Sequence, residues 1–199
     1  TDGGLQWASL GPVYDEFYYP DGFRIDFPDN PQQFRQNLID AFPEEEEAID
    51  NYLAYVREVA GAMKGYYLAR ALPPKMGWLG EATLGRKGQE MLELNTEEVV
   101  NSLTDNPKLR NIMTAQWGYY GSPPSRSSFA MQALVVRHFV HGGYYPVGGS
   151  QEIANQLLKT VADGGGWTRI RADVAEVMVH EDKAIGVRLQ DGEEITAGA

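Results

Sequence analysis

The sequence predicts an α+β fold in which a mostly helical region precedes a shorter region of one helix and antiparallel strands. Near the start, two runs rich in aromatic and β-branched residues flank the turn tripeptide Pro20-Asp21-Gly22. Apolar residues then recur at three- and four-residue steps through much of residues 31–140. After Gly164-Gly165-Gly166 the pattern changes to short β-rich runs separated by turn residues. The three patterns together predict the α+β class.

The first half of the chain carries clear start and stop signals. Residues 13–19 and 23–27 are predicted to form a β-hairpin, because a turn tripeptide separates them. A helix is predicted from Pro31 to Phe42, and Pro43 begins a second helix that extends to about residue 68. Three glycines and no clear period between residues 77 and 87 predict a loop or a poorly regular helix. Shorter helices are predicted over 96–103, 107–115 and 129–140, the last capped by Ser127 or Ser128.

The last quarter of the chain changes in character after a glycine-rich loop at 142–149. Ser150 is a candidate N-cap for a helix whose residues Ile153, Leu157, Leu158 and Val161 are expected to face a core. Strands are predicted over 168–170, 174–179, 184–189 and 193–196. We therefore expect two domains, residues 1–141 and residues 142–199.

Composition excludes several classes of function. The 199 residues include 17 Lys and Arg against 28 Asp and Glu, a net charge of −11 with no basic stripe, so no nucleic-acid partner is expected. The absence of cysteine excludes disulfides, thiolate zinc sites and a cysteine nucleophile. The longest apolar run, residues 133–136, is far below the ~20 residues that span a bilayer. We expect a cytoplasmic protein, with peripheral contact to a membrane left open, and an internal piece of a longer chain, because it starts at Thr1.

Familiar catalytic and phosphate-binding patterns are missing from the sequence. His138, His141 and His180 form neither an H-x-x-x-H nor an H-E-x-x-H pattern, so no metal site is predicted. There is no G-x-S-x-G elbow and no glycine-rich phosphate loop, and the acidic run at 44–47 is explained as a helix start. No catalytic residue is assigned, and the oligomeric state stays open.

Two segments combine aromatic side chains with glycines, at 117–121 and 142–149. Such segments form structural turns, or they line a pocket for a flat apolar ligand, in which aromatics supply the wall and glycines supply clearance. The residues alone leave both interpretations open.

The run G-G-Y-Y-P-V-G-G-S at 142–150, with the helix, glycine exit and strands that follow it, resembles the FAD-dependent family of phytoene desaturases, carotenoid isomerases and retinol saturases. Q-W-G-Y-Y-G at 116–121 is similar to the retinol saturase and carotenoid isomerase branch. The resemblance implies a helical substrate-binding cap with the β-hairpin in residues 1–141. It also implies part of a FAD-binding Rossmann-like domain in residues 142–199, from an α/β parent.

The resemblance further implies roles for particular residues. Val174 would contact the adenine end of FAD through its backbone, and Gly148 and Gly149 would lie near the flavin, most of whose binding segments are outside this chain. Substrate would be contacted by four residues: Trp117, Gly143, Tyr144 and Tyr145.

The implied function is that of a flavoprotein oxidoreductase that desaturates, saturates or isomerises a polyene or another long apolar substrate. The alternatives are a non-enzymatic lipophile-binding module and an amine-oxidase-type flavoenzyme.

Overall fold

The computed structural model describes residues 3–73 and 85–197, which divide into two units. The larger unit is Ala8–Tyr145, and the smaller one combines Thr1–Trp7 with Pro146–Ala199. The chain passes between the units within two short paired strands, β1 (Trp7–Ser9) and β4 (Tyr144–Pro146). Neither strand was predicted, because each has three residues and its partner is far away in the sequence.

The larger unit begins with the predicted hairpin, which is confirmed. Strand β2 (Val13–Tyr18) pairs antiparallel with β3 (Arg24–Pro28), and Tyr18 lies opposite Arg24. Ile25 and Phe27 alternate along β3 and are both buried, so one face of the hairpin packs on the helices.

Among its described residues, the larger unit continues with six α-helices, and the starts of four of them agree with the sequence signals. The Asn30 side chain accepts hydrogen bonds from the first turn of α1, and the Ser128 side chain accepts one at the start of α6. The central α2 follows a short 3-10 turn, and its buried residues recur at helical spacing to form the middle of the core. The helices are α1 (Pro31–Ala41), α2 (Glu46–Ala71), α3 (Arg86–Leu92), α4 (Thr96–Leu103), α5 (Pro107–Met113) and α6 (Phe129–Phe139).

Helix α3 overlaps the end of the segment predicted to be a loop or a poorly regular helix, and residues 86 and 87 are helical. Most of that segment, residues 77–84, lies outside the described residues. A Cβ atom placed on Gly88 would lie 2.5 Å from the Tyr66 Cβ atom of α2. The glycine that weakens the helical pattern therefore allows the two helices to pack closely.

The smaller unit contains α7 (Gln151–Asp163) and an antiparallel sheet in the order β5 (Val174–His180), β6 (Lys183–Leu189) and β7 (Glu194–Thr196). Glu181 and Asp182 both have positive φ angles, of 48° and 60°, which suits the two-residue turn between β5 and β6. The predicted meander is confirmed for these strands. The strand predicted at 168–170 is wrong, because these residues have no strand conformation and join no ladder in the described chain.

Two predictions about α7 are also wrong. Ser150 has a helical backbone (φ −61°, ψ −23°) and its side chain makes no capping bond, because a side-chain cap needs an extended backbone. Leu157, Leu158 and Val161 are exposed instead of facing a core, and no residue of α7 is buried. The mixture of helices and small sheets nevertheless confirms the α+β class.

Candidate functional site

Phe139, at the end of α6, brings together parts of the larger unit that are distant in sequence. Its ring stacks on Tyr14 of β2, with 5.6 Å between ring centroids and 19° between planes. The Tyr119 ring, from the 3-10 turn Ala115–Tyr119, lies 5.0 Å from the Phe139 ring. One glycine–aromatic segment is therefore anchored on the hairpin through Phe139.

Gly143, a predicted substrate contact, lies against the same cluster. A Cβ atom at Gly143 would lie 2.9 Å from the Leu10 Cδ1 atom and 3.4 Å from the Tyr14 Cβ atom. The Leu10 N–H also donates a 3.0 Å hydrogen bond to the Gly143 carbonyl oxygen. The absence of a side chain at Gly143 thus lets the chain pass close to Tyr14.

Hydrogen bonds fix the two tyrosines of this cluster. The Gln116 Nε2 group donates to the Tyr14 hydroxyl at 3.1 Å, and the Tyr119 hydroxyl donates to an Asp15 carboxylate oxygen. Burial raises the pKa of Tyr14 to about 12, with Gln116 opposing the shift and Asp15 adding to it. The pKa of Tyr119 is also raised, by burial of its hydroxyl and by the hydrogen bond to Asp15.

Both phenols therefore stay protonated at neutral pH and can donate or accept hydrogen bonds, but they are poor general bases. Sequence reasoning missed Tyr14, Asp15 and Phe139 because their partners lie more than a hundred positions away along the chain. The aromatic richness of residues 14–19 was the one available signal.

The other predicted substrate contacts remain on the surface. Tyr144 is 61% exposed, Tyr145 is 52% exposed and Trp117 is 43% exposed. Tyr144 and Tyr145 are successive residues of β4, so their side chains leave opposite faces of the strand. A single cavity beside β4 would therefore be lined by one of them, and their contact with substrate stays a prediction.

In the smaller unit, Gly148 and Gly149 form the turn that enters α7. Their φ angles are 90° and 98°, and the Gly149 N–H donates to the Pro146 carbonyl oxygen at 3.0 Å. A Cβ atom at Gly148 would lie 3.0 Å from the Glu152 Cγ atom. Because a carboxylate stands beside this turn, the turn suits a flat neutral group better than a phosphate.

Val174 begins β5, which lies at one edge of the described sheet. The carbonyl oxygen of Asp173 accepts a 2.9 Å hydrogen bond from the N–H of Gln190 and therefore faces β6. Alternate residues of an antiparallel strand turn their backbone groups to opposite edges, so the N–H and C=O of Val174 face the open edge. A backbone contact to a planar ring is compatible with this geometry.

The described residues offer neither a cluster of metal-binding side chains nor a membrane-spanning helix. Within residues 3–73 and 85–197, no group of three or more His, Asp or Glu side chains is arranged to hold a metal ion. None of the helices described is long and apolar enough to cross a membrane.

Comparison with known proteins defines the class of the chain. No protein-family model matches the chain. The chain is 32% identical over 202 residues to an all-trans-retinol 13,14-reductase of Danio rerio. The aligned residues make up 98% of the chain and 33% of that protein. It is 32% identical over 204 residues to the Homo sapiens enzyme of the same name, with the same coverage. A chloroplastic prolycopene isomerase of Daucus carota is 26% identical over 196 residues, or 94% of the chain and 31% of that protein.

The chain is thus similar in sequence to proteins named for retinoid and carotenoid chemistry, and it spans about a third of their length. This stretch is homologous to the corresponding third of the all-trans-retinol 13,14-reductases and, at lower identity, of the prolycopene isomerases. The predicted resemblance is confirmed.

Proposed function

We propose that the chain forms part of a FAD-dependent oxidoreductase that acts on a polyene of the retinoid or carotenoid type. The observation that carries the proposal is the 32% identity to all-trans-retinol 13,14-reductases across 98% of the chain. Saturation, desaturation and isomerisation of the polyene all belong to the proposal. Residues 1–141 would supply the substrate-binding cap, and residues 142–199 would complete a Rossmann-like flavin domain.

The smaller unit supports the second part of this proposal. Leu157, Leu158 and Val161 on α7 are 54%, 44% and 40% exposed, and Val177 and Val179 on β5 are 56% and 61% exposed. Amphipathic helices and sheets are stable when their apolar faces are covered. The rest of a flavin domain would cover these faces in the complete protein.

Within that domain, Val174 would hold the adenine through its backbone groups at the open edge of β5. Gly148 and Gly149 would pass close to the flat ring of the flavin. FAD, when bound, supplies the redox chemistry, and the chain binds and orients. Trp117, with the loop residues Gly143, Tyr144 and Tyr145, would contact the apolar substrate, and the catalytic residue stays unassigned.

The experiment uses the complete protein that contains this chain, purified with its flavin content measured by absorbance. The protein is reduced anaerobically and mixed with all-trans-retinol or prolycopene, and the products are separated by chromatography. We expect stoichiometric flavin and a product with an altered polyene. Polyene binding without flavin would instead indicate a lipophile-binding module, and turnover of amines alone would indicate an amine-oxidase-type enzyme. Either result would overturn the proposal.

The 199-residue chain alone provides a control for the contribution of the remaining segments. Because it contains no glycine-rich phosphate loop, we expect it to be colourless after purification and to retain no FAD on gel filtration. Stoichiometric flavin in the isolated chain would show that the proposed division of the binding site is wrong.

A further inference from the structure

The larger unit contains a cavity of about 460 Å³ where α1, α2 and α6 meet. This volume is within the ~300–1,000 Å³ that is typical of small-molecule sites. Its wall is mostly apolar and includes side chains from all three helices. The apolar lining residues include Phe34, Leu53, Val56, Ala60, Val136 and Val140.

Three cationic side chains also line the cavity: Arg57 and Lys64 of α2, and Arg137 of α6. Arg57 and Lys64 are seven positions apart, so they lie on the same face of α2, about 10 Å apart along its axis. Arg137 reaches the cavity from the neighbouring helix, and its Nη1 atom lies 3.4 Å from the His141 Nε2 atom. The cations therefore come from two sides of the cavity.

None of these three cations makes an ion pair within the described part of the chain. Arg57 does influence the Asp50 carboxylate, but Asp50 is bound by Arg35 at 2.5 Å. The chain carries a net charge of −11, so carboxylates are plentiful, yet among the described residues none lies within ion-pair distance of Arg57, Lys64 or Arg137. Like charges around one cavity repel each other, and a bound anion would relieve that repulsion.

We propose that this cavity binds a single-chain amphiphile whose apolar tail packs against the helices and whose carboxylate head is held by Arg57, Lys64 and Arg137. The apolar wall would pack against the tail. The three cations, which make no ion pair within the described residues, would bind the negatively charged head. Charge-assisted hydrogen bonds are stronger than those between neutral groups, so the head discriminates between an acid and an alcohol of equal length.

This site is separate from the predicted polyene contacts and goes beyond the proposed function. Trp117, Gly143, Tyr144 and Tyr145 are absent from its described lining. A neutral polyene would also gain nothing from three cations.

The test measures binding of dodecanoate and dodecanol to the complete protein by isothermal titration calorimetry, below the concentrations at which either aggregates. We expect dodecanoate to bind more tightly than dodecanol by at least ~10-fold. The double variant Arg57→Gln/Arg137→Gln should remove most of that difference without changing flavin content. Equal affinities for the acid and the alcohol would overturn the proposal.

A second variant tests the location of the tail. Gly61 lines the cavity, and a Cβ atom there would meet no atom within 4 Å, so Gly61→Leu can fill the space without disturbing the helix backbone. We expect this variant to lose dodecanoate binding. Ala54→Leu, at an exposed position of the same helix outside the lining, is the matched control and should bind normally. Unchanged binding in Gly61→Leu, or binding to vesicles of anionic lipid but not to dodecanoate, would contradict the proposal.

Discussion

The hydroxyl of Tyr52 on α2 donates a 2.6 Å hydrogen bond to the carbonyl oxygen of Met113, the last residue of α5. The same oxygen accepts a 2.8 Å bond from the Nε2 group of Gln132 on α6. The Gln132 Oε1 atom in turn accepts from the Tyr120 hydroxyl at 2.9 Å. Because Tyr52 and Gln132 are buried, the Met113 carbonyl receives from them the hydrogen bonds that water makes at an exposed helix end, and the network links three helices.

The network predicts unequal effects for two substitutions. Tyr52→Phe leaves Met113 bonded to Gln132, so it should lower the free energy of unfolding by about 1 kcal/mol. Gln132→Leu removes hydrogen bonds to three groups at once, the Met113 carbonyl and the hydroxyls of Tyr52 and Tyr120, and should lower that free energy by ~2–3 kcal/mol. Urea unfolding of the two variants measures both values. A smaller loss in Gln132→Leu than in Tyr52→Phe would contradict this ranking.

The raised pKa of Tyr14 predicts that the protein loses stability in alkali. Its pKa is raised from 10.0 to about 12, chiefly by burial, so the folded state holds the phenol proton more tightly than the unfolded state does. The stabilisation is complete below pH 10 and is lost as the pH rises from about 10 to about 12. Unfolding by urea at pH 8, 10 and 11 should show a decline that is shallower in Tyr14→Phe. Equal slopes in the two proteins would show that Tyr14 does not contribute.

The sequence could predict features that depend on neighbouring residues. Caps, prolines and turn residues act within a few positions. The predicted helix starts at Thr96 and Pro107 and the predicted hairpin around Asp21 are therefore confirmed. The approach of Gly143 to Tyr14 and the pairing of β1 with β4 could not be predicted, because these contacts join distant parts of the chain.

The wrong prediction that α7 buries its apolar face has a different cause from the missed long-range contacts. Its periodicity was read correctly, but periodicity shows only that a face is apolar, and the structure shows that no described residue of the chain buries it.

The positions of Tyr144 and Tyr145 on β4 predict that only one of two alanine variants changes the KM for substrate. Because they leave opposite faces of β4, only one of them can line a substrate cavity beside that strand. If Tyr145 is that residue, Tyr145→Ala in the complete protein should raise KM for a polyene several-fold while Tyr144→Ala leaves it unchanged. Steady-state kinetics and flavin absorbance of both variants make the comparison. Unchanged KM in both would assign the pair a structural role.

Val174 allows a test of backbone recognition that does not disturb the sheet. Its N–H faces the open edge of β5, so Val174→Pro deletes that donor without removing a bond to β6. Proline is also tolerated at the first residue of an edge strand. The substitution should therefore preserve folding, which circular dichroism and urea unfolding can verify.

If Val174 holds the adenine of FAD through its backbone, Val174→Pro should weaken FAD binding by about fivefold, the equivalent of ~1 kcal/mol for one lost hydrogen bond. Val174→Ile is the matched control, because it retains the N–H, the C=O and the β-branched side chain, and its FAD affinity should equal that of the unaltered protein. FAD dissociation is followed by the recovery of flavin fluorescence in the complete protein. FAD affinity that is unchanged in both variants would show that position 174 does not donate to the cofactor, whereas an equal loss in both would show that its side chain, and not its backbone, is recognised.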